Sequence, residues 1–399
     1  MFWKFFSKEK GELVLVFDIR SSSVGGALVK VQKSGIPNVI FSVRELIVQE
    51  EKMDIDRFLS NTMKSLDLVV KKIFKAGLGV PTNIHCVLSS PWHVSQSRTI
   101  SVKKEKPFVF SLSLADELIK QEMIKFKEEH LEQYAVAKEK IRLIELQNIK
   151  TRLNGYETHN PLSQKVEEIE MTLFISMSPE QVLSNIENII KKYIHFESIK
   201  FSSFTMASFA TMSSIFPDQS NFLLIDVGGE VTDISMVKKN IIGESISFPA
   251  GRNFLIRGIA SALSCTQNEA ESYASLINAE HAEIPTEKKL NDIVNTLRKE
   301  WLTKFQESLA NLSRDISVPF IIYLSADADF LHFFGQTIEA EQFNQYTLTE
   351  SKFKITFLDT ETLHGVALFE KDIARDPFIM IDTAFINHFL IYPVKTGHI

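Results

Sequence analysis

The stretch that most constrains the fold of this chain is NFLLIDVGGEVTDISMV, which runs from Asn221 to Val237. Its first apolar run ends in Asp226, the pair Gly228 and Gly229 follows, and an alternating run completes the stretch. Apolar runs on both sides of a glycine turn predict a β-hairpin. Glycine lets backbone N–H groups approach an anion, and a carboxylate beside them acts on phosphate through Mg²⁺ or water. The stretch therefore predicts a phosphate-binding hairpin, with an ordinary hairpin and a polar turn as the alternative.

A second hairpin of the same kind lies near the N-terminus. The stretch ELVLVFDIRSSSVGGALVKV, Glu12 to Val31, has an apolar strand that ends in Asp18, then small polar residues, then another strand. Two acid-tipped hairpins in one chain resemble the superfamily of actin, the heat-shock-70 proteins and the sugar kinases. In that superfamily each of two similar halves supplies a phosphate loop, and the loops clamp a nucleotide. The resemblance implies an α/β fold with two halves around a nucleotide cleft.

Composition excludes several other classes of protein. The length of 399 residues suits two or three domains, and 44% hydrophobic with 24% charged residues is ordinary for a soluble globular protein. The net charge is −6, whereas proteins that bind nucleic acid have basic surfaces, so nucleic acid is not expected as a partner. The two cysteines, Cys86 and Cys265, have no metal-ligand spacing and indicate a reducing compartment. No apolar run approaches the ~20 residues of a membrane span.

The chain divides into a leader, two halves and an insertion. From about Pro91 its character changes, because a long charged helix is predicted at 116–140 between predicted strands. We predict a leader at 1–11, a first half at 12–83 and 178–219, an inserted α+β subdomain at 84–177, and a second half at 220–399.

The insertion narrows the resemblance to one branch of the superfamily. The sequence has Asn154-Gly155-Tyr156 and Asn160-Pro161-Leu162 ahead of a predicted strand, which is similar to the tail of the SHS2-type subdomain inserted in the FtsA family. The glycine-methionine pair of that family is replaced by Ser163-Gln164. The chain thus resembles the FtsA and PilM branch of the actin-like ATPases.

This resemblance implies a nucleotide site. Asp18 and Asp226 are the catalytic candidates and would hold Mg²⁺ through water, with ATP or ADP as the cofactor. Backbone N–H groups of both turns would hold the phosphates. The candidate cofactor-binding residues are Ser21, Ser22, Ser23, Gly228, Gly229, Thr232, Asp233, Gly251, Glu271 and Ser325.

Four positions in the predicted cleft depart from the family. Arg20 stands where the family has glycine, and Gly25 and Ala274 stand at two lysine positions. The glycine-rich adenosine loop of the family is Ser-Ala-Asp-Ala-Asp at 325–329, whose two acids repel a polyphosphate. We therefore expect weak nucleotide binding and weak ATPase activity at most, with a non-hydrolysing pseudo-ATPase as an open alternative.

Two related functions follow from the resemblance, and a third is kept beside them. The first is an FtsA-like cell-division adaptor that self-associates and links a filament of a tubulin-like division protein to the membrane. The second is a PilM-like cytoplasmic scaffold of type IV pilus assembly, with a pilus membrane protein as its partner. The tail of the insertion favours the first, whereas the leader and the lack of a basic amphipathic helix in IMIDTAFINHFLIYPVKTGHI, 379–399, favour the second. A sugar kinase is the third, without a recognisable substrate acid.

The leader MFWKFFSKEK combines aromatic residues with lysines, a composition that suits a bilayer interface. We predict weak membrane contact through Phe2, Trp3, Phe5 and Phe6, and a cytoplasmic protein peripheral to the inner face of the membrane. A disordered leader, or aromatic side chains packed on the first strand, is the alternative.

Overall fold

The structure is a computed structural model that describes residues 12–33, 35–131, 140–158, 160–277, 285–313, 317–341 and 352–391. The predicted leader and its membrane-contact residues lie outside the described residues. Among the helices described, none is both long enough and apolar enough to cross a membrane.

The first sheet is built around the N-terminal hairpin. Strands β1 (Glu12–Ile19), β2 (Ser23–Val31) and β3 (Asn38–Leu46) form an antiparallel meander. Helix α1 (Ile55–Ala76) follows, and β4 (Asn83–Leu88) then runs parallel to β1. The side chain of Asp54 caps the first turn of α1 by accepting from the Arg57 N–H, and Gly77 ends the helix in the left-handed conformation.

The insertion forms a sheet of its own. It consists of β5 (Val94–Val109), α2 (Leu112–Leu131), β6 (Ile141–Leu153), β7 (Tyr156–Glu157) and β8 (Lys165–Pro179), with strand order β5-β8-β6-β7. We predicted that the insertion starts at residue 84, but Asn83–Leu88 belongs to the first sheet and the separate sheet starts at Val94. An apolar run does not specify which strand it pairs with, and here the partner is the distant β1.

The chain then completes the first half and builds the second. Helix α3 (Glu180–Lys191), strand β9 (Ile199–Ser203) and helix α4 (Phe204–Ile215) finish the first half. The second sheet has β10 (Phe222–Val227), β11 (Thr232–Lys238) and β12 (Ile241–Phe248), then helices α5 (Arg252–Leu263), α6 (Gln267–Ile277) and α7 (Pro285–Leu312). Strand β13 (Ile321–Ala326), helix α8 (Ala328–Glu339) and strand β14 (Lys354–Phe357) follow.

The two sheets share one topology. The order β3-β2-β1-β4-β9 in the first sheet matches β12-β11-β10-β13-β14 in the second, each with a meander followed by two parallel strands. The prediction of two similar α/β halves is therefore confirmed, and β1 and β10 occupy equivalent positions.

The C-terminal part of the chain returns to the first half. Strand β15 (Leu368–Phe369) pairs with β3, and helix α9 (Pro377–Phe385), continued by a π-helical turn at Ile386–Ile391, lies against β1, β2 and α4. Side chains of α4 and α9 form one apolar cluster with residues of both sheets, so these helices are the layer between the halves. Our division, which kept 220–399 as one half, did not foresee this return.

Candidate functional site

The turns of the two predicted phosphate hairpins touch each other. The Glu230 N–H of the second turn donates to Ser21 Oγ of the first turn at 3.1 Å. A Cβ atom on Gly229 would lie 2.6 Å from Ser21 O, and one on Gly228 would lie 2.8 Å from Ser21 Oγ. In this structure the two glycines therefore allow the backbone of one turn to approach the other turn.

Arg20 bridges the halves at the end of β1. Its buried guanidinium lies with Nη2 2.5 Å from Asp226 Oδ1 at the end of β10, and Nη1 donates to Ser89 Oγ at 3.1 Å. Its Cζ atom lies 3.7 Å from the ring centroid of Phe378 and 4.6 Å from that of Phe204. The ion pair and the aromatic faces balance the charge of this guanidinium, while its Nε has no hydrogen-bond partner among the described residues.

Asp18 is bound by a second arginine. Arg44 Nη2 lies 2.6 Å from Asp18 Oδ2, and Arg44 Nε lies 2.6 Å from Asp376 Oδ2, while Nη1 donates to Ser23 Oγ at 2.9 Å. Burial raises the pKa of Asp18 above its usual value, and Arg44 and Arg20 oppose that rise. A Cβ atom on Gly25 would lie 2.7 Å from Arg44 Nη2. The glycine, which stands where the family has lysine, therefore leaves space for the Arg44 side chain.

A third carboxyl group, that of Asp382, lies near Asp18, Arg20 and Arg44. Asp382 on α9 is fully buried, and its two oxygens and Asp18 Oδ1 have no hydrogen-bond partner among the described residues. Burial and the neighbouring Asp18 hold the pKa of Asp382 well above its usual range.

The residues present do not fit the predicted Mg²⁺ site. Asp226 Oδ1 accepts from Ser325 Oγ at 2.7 Å as well as from Arg20, and Asp18 is engaged by Arg44. Within the described ranges, no group of three or more His, Cys, Asp or Glu side chains is arranged to hold a metal ion. Asp226 and Asp18 therefore each already have a guanidinium as their partner, and Asp18 shares its own, Arg44, with Asp376.

The remaining predicted residues lie on both sides of the cleft. Ser22 Oγ donates to Asp327 Oδ1 at 3.1 Å, another contact between the halves, and Glu271 pairs with Arg252. A Cβ atom on Gly251 would lie 2.1 Å from Gly228 O, so this glycine allows close packing within the second half.

Asp233 and Thr232, two predicted residues of the second hairpin, have different side-chain partners. Asp233 accepts from Ser90 Oγ at 2.9 Å and from Ser247 Oγ at 2.5 Å, and burial raises its pKa to about 6. The Thr232 hydroxyl donates to Ala250 O at 2.6 Å, a contact within the second half.

A cavity of about 760 Å³ opens beside the turns, between the halves. Arg252, Asn268 and Glu271 line its second-half wall, and Ser22 with the segment 46–52 lines the opposite wall. Two of the predicted cofactor-binding residues, Ser22 and Glu271, therefore line this cavity, and the turns beside it contact each other.

Several residues of the site were missed in the sequence. Arg20 is contacted by Ser89 and Phe378. Asp18 is contacted by Arg44, which also binds Asp376. The pair Asp376-Pro377 is a helix start signal, with the aspartate as N-cap and proline in the first turn. That signal could have located α9, but nothing in the sequence indicates that α9 returns to β1.

These features define the class of protein. Two halves of shared topology, hairpin turns that meet in the cleft and an insertion in the first half make up the actin-like ATPase fold. Among solved structures, the chain is similar to one described as the PilM-PilN type IV pilus biogenesis complex. The TM-score is 0.61 at 12% identity, over 94% of this chain and 96% of that chain, and at this identity the similarity shows the fold.

Two further solved structures have lower TM-scores. A Bacteroides thetaiotaomicron protein described as having an actin-like ATPase fold has a TM-score of 0.41 at 8% identity, over 89% of this chain and 96% of that chain. The ethanolamine utilization protein EutJ from Carboxydothermus hydrogenoformans has a TM-score of 0.44 at 10% identity, over 94% and 88%. No model of a protein family and no curated protein matches the sequence.

Proposed function

We propose that this protein is a non-hydrolysing actin-like scaffold of a membrane-bound assembly of the type IV pilus kind. Its halves are held together by Arg20 rather than by Mg²⁺ and nucleotide. The contact between Arg20 and Asp226 is the observation that carries the proposal. The protein works at the cytoplasmic face of the membrane, where it binds the cytoplasmic part of a membrane protein.

The structure of the cleft supports a nucleotide-independent closed form. Phosphate groups between the turns would have to separate Ser21 from Gly228 and Gly229, and would lie near Asp327. Moving Arg20 away would leave Asp226 without its ion-pair partner, and breaking a buried ion pair by removing one partner is strongly destabilising. Nucleotide binding therefore competes with contacts that the chain makes with itself.

The pilus role is supported by the similarity to the PilM-PilN structure, which spans nearly the whole of both chains. An FtsA-like division role is the second candidate. It is supported by the α+β insertion in the first half and by its Asn154-Gly155 turn, which is present as predicted. Both roles require a protein partner, and they differ in which partner it is.

Calorimetry and thermal unfolding test the proposal that the cleft closes without nucleotide. We expect wild-type protein to give no binding heat and no shift of Tm with millimolar ATP, with or without Mg²⁺. Arg20→Gly, which restores the family residue, should gain a Mg²⁺-dependent shift because Asp226 is released. Arg152→Gly is the matched control, since Arg152 forms a partly exposed ion pair with Glu170 in the insertion. A Mg²⁺-dependent stabilisation of the wild-type protein would contradict the proposal.

A pull-down tests the scaffold part. Tagged full-length protein is mixed with detergent-solubilised membranes and the soluble fraction of a cell that expresses it, and bound proteins are identified by mass spectrometry. We expect a bitopic membrane protein of a pilus-type assembly. Recovery of a tubulin-like division protein instead would select the FtsA-like role, and recovery of neither would contradict both.

A further inference from the structure

A second cavity, of about 500 Å³, lies where the first half, the insertion and the second half meet. We name it the junction cavity. Ser90 lines it from the turn after β4, Val94 and Ser95 line it from the start of β5, and β11 and β12 supply much of the remaining wall. It shares no lining residue with the larger cavity beside the turns. Its volume is within the range of small-molecule sites, about 300–1,000 Å³.

Asp233 is the acidic residue of the junction cavity. Its Oδ1 accepts from Ser90 Oγ at 2.9 Å and from Ser247 Oγ at 2.5 Å, whereas no described residue donates to its Oδ2. Burial raises the pKa of Asp233, the neighbouring Asp226 adds to the rise, and Arg20, which is paired with Asp226, opposes it. Among the described residues that line the cavity, none is a lysine or an arginine. The cavity therefore contains a carboxylate with a free oxygen and supplies no positive charge to it.

A second polar group of the lining lacks a partner. His93 is 5% exposed, and its Nδ1 forms no hydrogen bond with any described residue. Burial lowers the pKa of His93 to about 4, so the ring is uncharged at neutral pH and is no counter-charge for Asp233. An uncharged imidazole has one acceptor nitrogen. Because buried polar groups are normally hydrogen-bonded, a free nitrogen in the wall of a cavity indicates a partner that the chain itself does not supply.

The hydroxyl groups of the lining add further acceptors. Ser90 and Ser247 use their protons on Asp233, so each keeps its oxygen lone pairs. Ser235 and Ser245 are hydrogen-bonded to each other, with 2.8 Å between their Oγ atoms. The apolar part of the lining includes Val94, Val231 and Ile246. The junction cavity therefore combines a wall of hydrogen-bond acceptors with apolar side chains.

Several kinds of ligand fit this lining poorly. An anion would meet Asp233 with no cation to bind it. Divalent cations such as Mg²⁺ and Ca²⁺ prefer several oxygen ligands, and the described residues contain no group of three or more side chains arranged to hold a metal ion. A neutral ligand would leave a partly buried charge without a partner. A primary ammonium group carries one positive charge and three N–H donors and has no acceptor, so it matches a cavity whose free groups are acceptors.

We propose that the junction cavity binds a primary ammonium group, carried by a small amine or by a lysine side chain. The ammonium donates to Asp233 Oδ2, with His93 Nδ1 and the Ser90 hydroxyl as further acceptors, and the attached methylene groups lie against Val94 and Ile246. Ser90 belongs to the first half and Asp233 to the second, so a bound ligand adds contacts between the halves. The inference goes beyond the proposed scaffold function and does not rest on it.

Isothermal titration calorimetry of purified full-length protein tests the inference. The probes are n-butylammonium chloride and a lysine methylamide acetylated at its α-amino group, which keeps a free side-chain ammonium. We expect saturable binding of at least one probe and a higher Tm in its presence. Tighter binding of butylammonium assigns the site to a free amine, and tighter binding of the lysine derivative assigns it to a lysine side chain. Asp233→Asn should weaken binding about tenfold or more, because it removes a charge-assisted hydrogen bond and keeps the shape.

Matched variants separate the cavity from general charge. Asp359→Asn makes the same change at a partly exposed carboxylate outside the cavity, which accepts from the backbone N–H groups of Glu361 and Thr362, and should bind like the wild type. Val231→Phe fills part of the cavity and leaves Asp233 in place, so it should also weaken binding. It keeps the test decisive if Asp233→Asn lowers the Tm.

Matched ligands separate an ammonium group from other cations and from apolar molecules. At equal ionic strength, potassium chloride and tetramethylammonium chloride have the charge but no N–H donor, and n-butanol has no charge, so none of them should bind. Absence of binding for both probes would overturn the inference. So would potassium binding as tight as that of the probes, or unchanged probe binding by Asp233→Asn and Val231→Phe. These outcomes are independent of the titration with ATP and of the pull-down.

Discussion

Glu145 shows what a single buried carboxyl group does at the junction between the insertion and the first half. It lies in β6, and its Oε2 accepts from the Ser203 N–H at 3.3 Å and from Ser203 Oγ at 2.8 Å, at the start of α4. Burial raises its pKa to about 7, and hydrogen bonds from Ser203 and Ser176 oppose the rise. Because the folded-state pKa is above the unfolded one, this group stabilises the fold fully only below the unfolded pKa, and the stabilisation is lost as pH rises through about 7.

Glu145→Gln should therefore flatten the dependence of stability on pH. We expect the variant to exceed the wild type in free energy of unfolding at about pH 8, by about 1–3 kcal/mol, and to lose that advantage at about pH 5. Urea unfolding at both pH values measures this, with the exposed Glu167→Gln as the control. Parallel pH profiles for the wild type and Glu145→Gln would contradict the expectation.

A second prediction about a single residue concerns the contact between the two turns. Gly229→Ala places a Cβ atom against the backbone of Ser21, which cannot move aside like a flexible side chain. We expect a loss of about 1–3 kcal/mol in the free energy of unfolding. Gly243→Ala is the control, because its nearest neighbour, Met236 O, is 3.4 Å from the added Cβ. Equal stability of the two variants would mean that the turns do not touch in solution.

Helix α9 is the element on which the site depends most. Phe378 stacks on Arg20 and meets the ring of Phe204 edge-on at 5.8 Å, in the layer between the sheets. Phe378→Ala should cost about 3–5 kcal/mol, since it opens a cavity and uncovers a buried guanidinium. Phe320→Ala, at a side chain that is 39% exposed, should cost much less. Chemical unfolding compares them, and similar losses would argue against this role of α9.

Elements that form from neighbouring residues could be predicted from the sequence. Both hairpins are predicted by apolar runs on either side of small residues. The turn at Asn154-Gly155 is predicted because an Asn-Gly pair readily adopts the left-handed conformation that both residues have here. The return of β15 and α9 to the first sheet could not be predicted, because it depends on contacts between residues far apart in the chain. The same applies to β4, whose apolar sequence fits more than one sheet position.

The sequence identified several residues of the candidate site but few of the contacts between them. Ser21 and Ser22 contact the second half, Asp18 and Asp226 each pair with an arginine, and one of these arginines, Arg20, was singled out as a departure. A glycine pair indicates that something approaches the backbone closely, but it does not specify a phosphate or another turn. Here the neighbour is Ser21. Arg44 was missed because its partner Asp376 lies far along the chain. The assignment of these residues to a nucleotide stays a prediction.

Charged groups connect the two halves across the cleft, in addition to the apolar layer between the sheets, and the coupling between these groups can be measured. Asp226→Asn leaves the buried Arg20 without its ion-pair partner and should cost about 3–5 kcal/mol. Arg20→Met combined with Asp226→Asn should cost less than the sum of the two single variants, because the pair acts as a unit. The exposed pair Arg152 and Glu170 should show little coupling in the same cycle. Strict additivity at Arg20 and Asp226 would contradict a bridge between the halves.

Arg20 is a cation that belongs to the polypeptide, and this distinguishes it from any ion taken up from solution. Its effective concentration at Asp226 is fixed by a covalent tether and does not follow the composition of the surroundings. A chelator cannot extract it, and depletion of ATP or of free Mg²⁺ leaves it in place. The scaffold function that we propose therefore includes no hydrolysis step to time release, and the lifetime of an assembly built on such a scaffold would be set by synthesis, degradation and the supply of partners.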